Sequence, residues 1–126
     1  MSYDLSIAVR VADAPQENAY AIIAEPKYSS PTCNLRDMFV ACMDWDYERG
    51  HFYKVSDVYT KIERGIYELT YNEKAYLKFN PSNGRDDTQS ALTALKSLKD
   101  CIDDIENPHG SIGWNTFPKE FLYVSW

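Results

Sequence analysis

No stretch of this 126-residue chain approaches the ~18 consecutive apolar residues that a membrane span needs. The N-terminal residues have no basic run leading into an apolar core, so no signal peptide is expected. Cysteine is scarce: Cys33, Cys42 and Cys101 cannot all pair and show no C-x-x-C spacing, which fits reduced thiols in a cytoplasmic setting. With only two histidines, His51 and His109, the chain lacks H-E-x-x-H, G-x-S-x-G and Walker signatures. A base-poor surface is a further lack. Thirteen Lys and Arg stand against nineteen Asp and Glu, a net charge of −6, which disfavours the phosphate contacts of nucleic-acid binding.

What is present is ordinary globular material: 44% hydrophobic and 25% charged residues. That is enough for a single domain, 1–126, with its own core. Residues 3–11 alternate, with Tyr3, Leu5, Ile7, Val9 and Val11 on one side, as in a half-buried strand. Tyr20–Glu25 reads as a second strand ended by Pro26, because proline donates no ladder hydrogen bond. Glu120–Trp126 alternates again and predicts a closing strand.

Between these ends the period changes to that of a helix. Leu35, Met38, Phe39 and Cys42 fall on one stripe, with Asn34 as expected N-cap. Val55, Val58, Ile62, Ile66 and Leu69 form a second stripe beneath a Ser56 cap. Gly65 stands on that apolar face, where its cost of about 1 kcal/mol implies close packing against a neighbour. Glu73–Phe79 reads as a short helical turn. The rigid turn Asn80-Pro81-Ser82-Asn83-Gly84 then feeds a third helix, 88–106, capped by Asp86 or Asp87, with Gln89 expected to complete a capping box. Its buried stripe is Ala91, Leu95, Leu98, Ile102 and Ile105. The order predicts an α+β fold: a small antiparallel or mixed sheet of two N-terminal strands plus the C-terminal strand, with three helices packed on one face. Trp114, in the loop before the last strand, is expected to cover the core.

The segment from Trp45 to Tyr53 reads as a loop rich in rings. Asp44, Asp46 and Glu48 alternate there without the glycine and distant glutamate of a calcium loop, so no metal is expected. Cys42 reads as a small core residue. No catalytic constellation emerges, and the chain is read as a non-enzyme without a cofactor. Because aromatic and Arg side chains dominate binding hot spots, Trp45, Tyr47, Arg49, His51 and Tyr53 are the expected partner-binding residues. Tyr67 and Tyr71, one turn apart on the exposed face of the second helix, extend the set. Tyr47 and Arg49 lie off every apolar stripe, so substituting both is expected to leave stability nearly unchanged.

Asn34-Leu35-Arg36-Asp37-Met38-Phe39 resembles the N-x-x-x-M-[aromatic] element of a family of small phage and prophage proteins. The likeness continues through Gly65-Ile66, Leu69, Asn72, Tyr76, Asn80-Pro81-x-Asn83-Gly84, the spaced Leu92, Leu95 and Leu98, and Cys101. It covers about two thirds of the chain; where the family continues N-G-W-G, Arg85-Asp86 stand here. The resemblance implies a viral or mobile-element origin, hence the cytoplasm of a bacterial host, and brings no activity with it. Two function classes follow. One is a module that binds a host protein, such as an inhibitor of a defence system like CRISPR. The other is a binder of a nucleotide-like signal.

Overall fold

The computed structural model describes the backbone of residues 6–10, 20–26, 33–48, 51–106 and 122–125, and the side-chain surroundings of 25–26, 34–48 and 51–104. Leu5, Arg49 and Trp114 lie outside these residues, as do the side chains of Ile7 and Val9.

The helices are α1 (Arg36–Met43), α2 (Val55–Tyr71) and α3 (Thr88–Glu106). Cys33–Leu35 and Glu73–Phe79 are 3-10 segments. The strands are short: β1 (Ser6–Arg10), β2 (Tyr20–Ala24), β3 (Phe52–Lys54) and β4 (Leu122–Ser125). Backbone pairing is antiparallel throughout, in the order β2-β1-β4-β3.

The expected α+β class, three helices on a three-stranded sheet, is corrected by this arrangement. Where side chains are described, helix makes up 72% of the residues and the lone strand is β3, in a segment whose sequence predicts a loop. Among the described side chains the core is helix on helix. Its residues come from α1, α2, α3, the 3-10 segments and Tyr47: Phe39, Met43, Ile62, Leu69, Leu95 and Leu98 are all fully buried. Each such side chain contributes about 1.5–3 kcal/mol relative to exposure. An exposed ion pair such as Arg36–Asp46, 3.3 Å, contributes about 1 kcal/mol or less. Among the residues whose side chains are described, burial in the helical stack therefore outweighs the surface ion pairs.

Helix boundaries follow local chemistry, with three departures from expectation. α1 has no side-chain cap at its start; Asn34 lies within the preceding 3-10 turn. It closes at Asp44, whose left-handed backbone (φ 51°, ψ 51°) lets the Asp44 N–H donate to Ala41 O (3.3 Å) and the Trp45 N–H to Val40 O (3.1 Å). These paired bonds satisfy carbonyls that a helix end leaves open. α2 follows β3 directly, so its N-cap is Lys54 rather than Ser56, and no side chain caps it. At α3 Asp87 is the cap: its Oδ1 accepts from the Ser90 N–H at 3.0 Å. Gln89 turns away from the expected box and donates to Glu73 Oε2 at 3.1 Å.

Ahead of α3, the Asn83 side chain accepts from the N–H groups of Arg85 (2.9 Å) and Asp86 (3.0 Å) and donates to Asp86 Oδ2 (2.6 Å). Gly84, at φ +74°, supplies the left-handed residue that this turn requires. The Asn-Pro-x-Asn-Gly element is thus a structural lead into α3.

Candidate functional site

The aromatic segment after α1 proves to be two different things. Trp45 is half-buried, and its ring lies 5.3 Å from that of Tyr47 and 4.8 Å, edge to face, from that of Tyr53. Tyr47 is fully buried and belongs to the core, which corrects its reading as a surface contact. Arg36 holds it there from α1: Nη2 donates to Tyr47 O at 2.6 Å, and the guanidinium carbon stands 5.2 Å from the ring centroid. The same nitrogen pairs with Asp46 at 3.3 Å.

Tyr53 closes the other end. Its hydroxyl oxygen accepts from the Glu48 N–H at 2.8 Å and the hydroxyl lies 3.3 Å from Glu48 O as donor. His51 is exposed and sits 3.0 Å from the Glu48 carboxylate. Among the described residues of this segment, Trp45, Tyr47 and Tyr53 pack together, while Asp46, Glu48 and His51 stay exposed and engage Arg36 and one another. Sequence periodicity missed this, because a lone buried tyrosine in an irregular segment has no stripe to belong to. The available signal was the density of rings beside Arg36.

Asp46 and Glu48 are therefore engaged with Arg36 and His51 rather than converging. Among the described residues, no group of three His, Cys, Asp or Glu is placed to hold a metal ion. Cys42 is buried, its thiol directed at Phe39 O (3.7 Å), and burial pushes its pKa up to about 12. Burial also pushes Cys101 up to about 11, with the nearby Asp104 and Glu25 adding to the rise. Neither thiol has the lowered pKa of a nucleophile.

Tyr67 and Tyr71 are placed differently. They are 59% and 72% exposed, and with Leu77 at 46% they are the large apolar side chains left in solvent among the described residues. The two rings lie 5.0 Å apart, the i,i+4 contact their spacing implies. Where α2 ends, the chain turns into the 3-10 segment Glu73–Phe79, and an open groove of about 760 Å³ forms at the junction. Tyr71, Asn72, Lys74 and Leu77 are among its lining residues.

The groove has fixed walls. Asn72 ties back to α2 by donating its N–H to Glu68 O (2.8 Å) and its side-chain amide to Glu68 Oε2 (2.5 Å). Tyr76 is buried in the core, stacked 6.4 Å from Phe79. Glu73 accepts from Thr88 Oγ1 at 3.0 Å and from Gln89 at 3.1 Å, which binds the segment to the first turn of α3. Leu77 belongs to this surface and was not anticipated: in a short 3-10 element its direction follows from Tyr76 turning inward beside it.

No family model, curated protein or solved structure matches the chain. Among the described residues, no helix is long and apolar enough to cross a membrane.

Proposed function

We propose that the protein is a non-enzymatic accessory protein of phage or prophage origin that works in the bacterial cytoplasm by binding a host protein, as an inhibitor of a defence system such as CRISPR would. The contact surface is the junction of α2 with the 3-10 segment. The supporting observation is the exposure of Tyr67, Tyr71 and Leu77 together on fixed backbone. Exposed apolar groups gathered in one place mark interaction sites, and tyrosine is enriched among the residues that carry binding energy. The motif resemblance and the acidic composition support the origin and argue against nucleic acid as partner.

Tyr71 beside Lys74 also offers the ring and cation that a nucleotide would use. Against that reading, the groove is open to solvent, whereas small-molecule sites enclose about 70–90% of the ligand surface.

The test is capture from host lysate with the wild type and with Tyr67→Ser/Tyr71→Ser, followed by mass spectrometry of retained proteins and small molecules. A protein held by the wild type and lost from the variant is the expected result. A protein held equally by both places the site elsewhere; a retained nucleotide without a protein overturns the reading.

A further inference from the structure

We infer that the groove at the α2 junction takes an acidic segment of the partner protein, one that seats an apolar side chain between Tyr71 and Leu77 and sets carboxylates against Lys74 and Lys78. This rests on the protein-binding reading above and specifies the chemistry of the partner.

The argument is one of charge and commitment. The chain as a whole carries −6, yet the charged side chain of the groove lining that is not committed elsewhere is a cation, Lys74. Glu73 lines it, but its two oxygens accept from Thr88 and Gln89 and face α3. Glu68, one turn back, is bound by Arg64 (3.5 Å) and by Asn72. Lys74 lines the groove and Lys78 follows Leu77; both are exposed, and neither forms an ion pair among the described residues. Lys78 instead lies 5.3 Å from the Phe79 ring centroid.

The ammonium of Lys74, unpaired among the described residues, lines the groove with Tyr71 and Leu77, and Lys78, exposed and next in the chain to Leu77, adds a second positive charge near its edge. Electrostatic complementarity across an interface selects partners of opposite sign and suppresses others. A basic partner would be drawn instead to the acidic remainder of the molecule. An uncharged one would gain nothing from the lysines.

The experiment selects a display library of short random peptides against the 126-residue chain. The best binder, made synthetically, is then measured against three proteins: the wild type, Lys74→Glu/Lys78→Glu, and Tyr67→Ser/Tyr71→Ser. Circular dichroism confirms that each variant keeps its helices. The expected peptides carry Asp or Glu close to Leu, Phe or Trp. Their binding falls about tenfold on the lysine reversal, the sum of two modest exposed pairs turned repulsive, and vanishes on loss of the tyrosines.

Basic or uncharged winners, or no enrichment, overturn the inference. Binding lost with the tyrosines but indifferent to the lysines overturns the acidic class while leaving the surface in place. Binding indifferent to the tyrosines sinks the surface itself. A dimer in sedimentation that the tyrosine variant dissolves makes a second copy the occupant and also overturns it.

Discussion

Gly65 on α2 and Leu95 on α3 meet so closely that a β-carbon on the glycine would stand 2.7 Å from Leu95 Cδ1. The same atom would be 2.9 Å from Met43 Cγ on α1. The three helices cross at this point, and hydrogen is the largest substituent that position 65 accepts without movement. Gly65→Ala gains about 1 kcal/mol of helix propensity and loses about 1–3 kcal/mol to overpacking among buried neighbours. Urea melts should therefore show net destabilisation. A gain in stability would mean that the helices stand further apart.

Leu95→Ala removes a fully buried side chain and should cost about 2–5 kcal/mol. Combined with Gly65→Ala it should cost less than the sum of the two, because the new methyl enters the space left by the leucine. Residues in contact couple in this way. Strict additivity in the double-mutant cycle would refute the contact.

Tyr47→Ala should cost about 3–5 kcal/mol, as for other buried aromatic truncations. This reverses the expectation that Tyr47 and Arg49 together could be replaced without loss. A thermal melt of the single variant suffices, and an unchanged midpoint would return Tyr47 to the surface.

Asp87→Ala should cost about 1 kcal/mol, since it removes the acceptor for the Ser90 N–H. Asp86→Ala serves as the comparison: its carboxylate accepts from Asn83 rather than from the helix, and the loss should be smaller. Equal losses in chemical denaturation would show that the cap is shared.

Cys42 gives a pH dependence. Its thiol is raised from 9.0 to about 12 by burial, so the folded state holds a proton that the unfolded chain releases earlier. The resulting stability is complete below about pH 9 and is lost as pH rises towards 12. Cys101, raised to about 11, acts in the same direction. Unfolding free energies at pH 8, 9, 10 and 11 should fall along the series. Cys42→Ala should be less stable at pH 8 yet show a shallower decline; an equal slope would assign the effect to other groups.

The helical stripes were legible because each buried face repeats over several turns. Leu35–Cys42, Val55–Leu69 and Ala91–Ile102 lie in the core where the 3.6-residue period puts them, and Gly65 was recognisable as an apolar-face glycine. Starts of helices were harder, since a cap depends on which of several polar side chains the preceding backbone aims at the first turn. Asp87 fits that pattern; Asn34, Ser56 and Gln89 do not. The weight of helix over sheet was misjudged because alternation reports the existence of a strand and says nothing of its share in the interior. At the site, exposure of Tyr67 and Tyr71 followed from helical phase. The burial of Tyr47 did not, because it is set by Arg36, eleven positions earlier in the chain.

The Glu73 carboxylate joins the wall of the groove to the start of α3, fifteen residues further along. Thr88 is 2% exposed and lies outside the groove lining, yet its hydroxyl holds the carboxylate of a residue within that lining. Substitution at this hidden anchor therefore acts on the groove wall without touching Tyr71, Lys74 or Leu77.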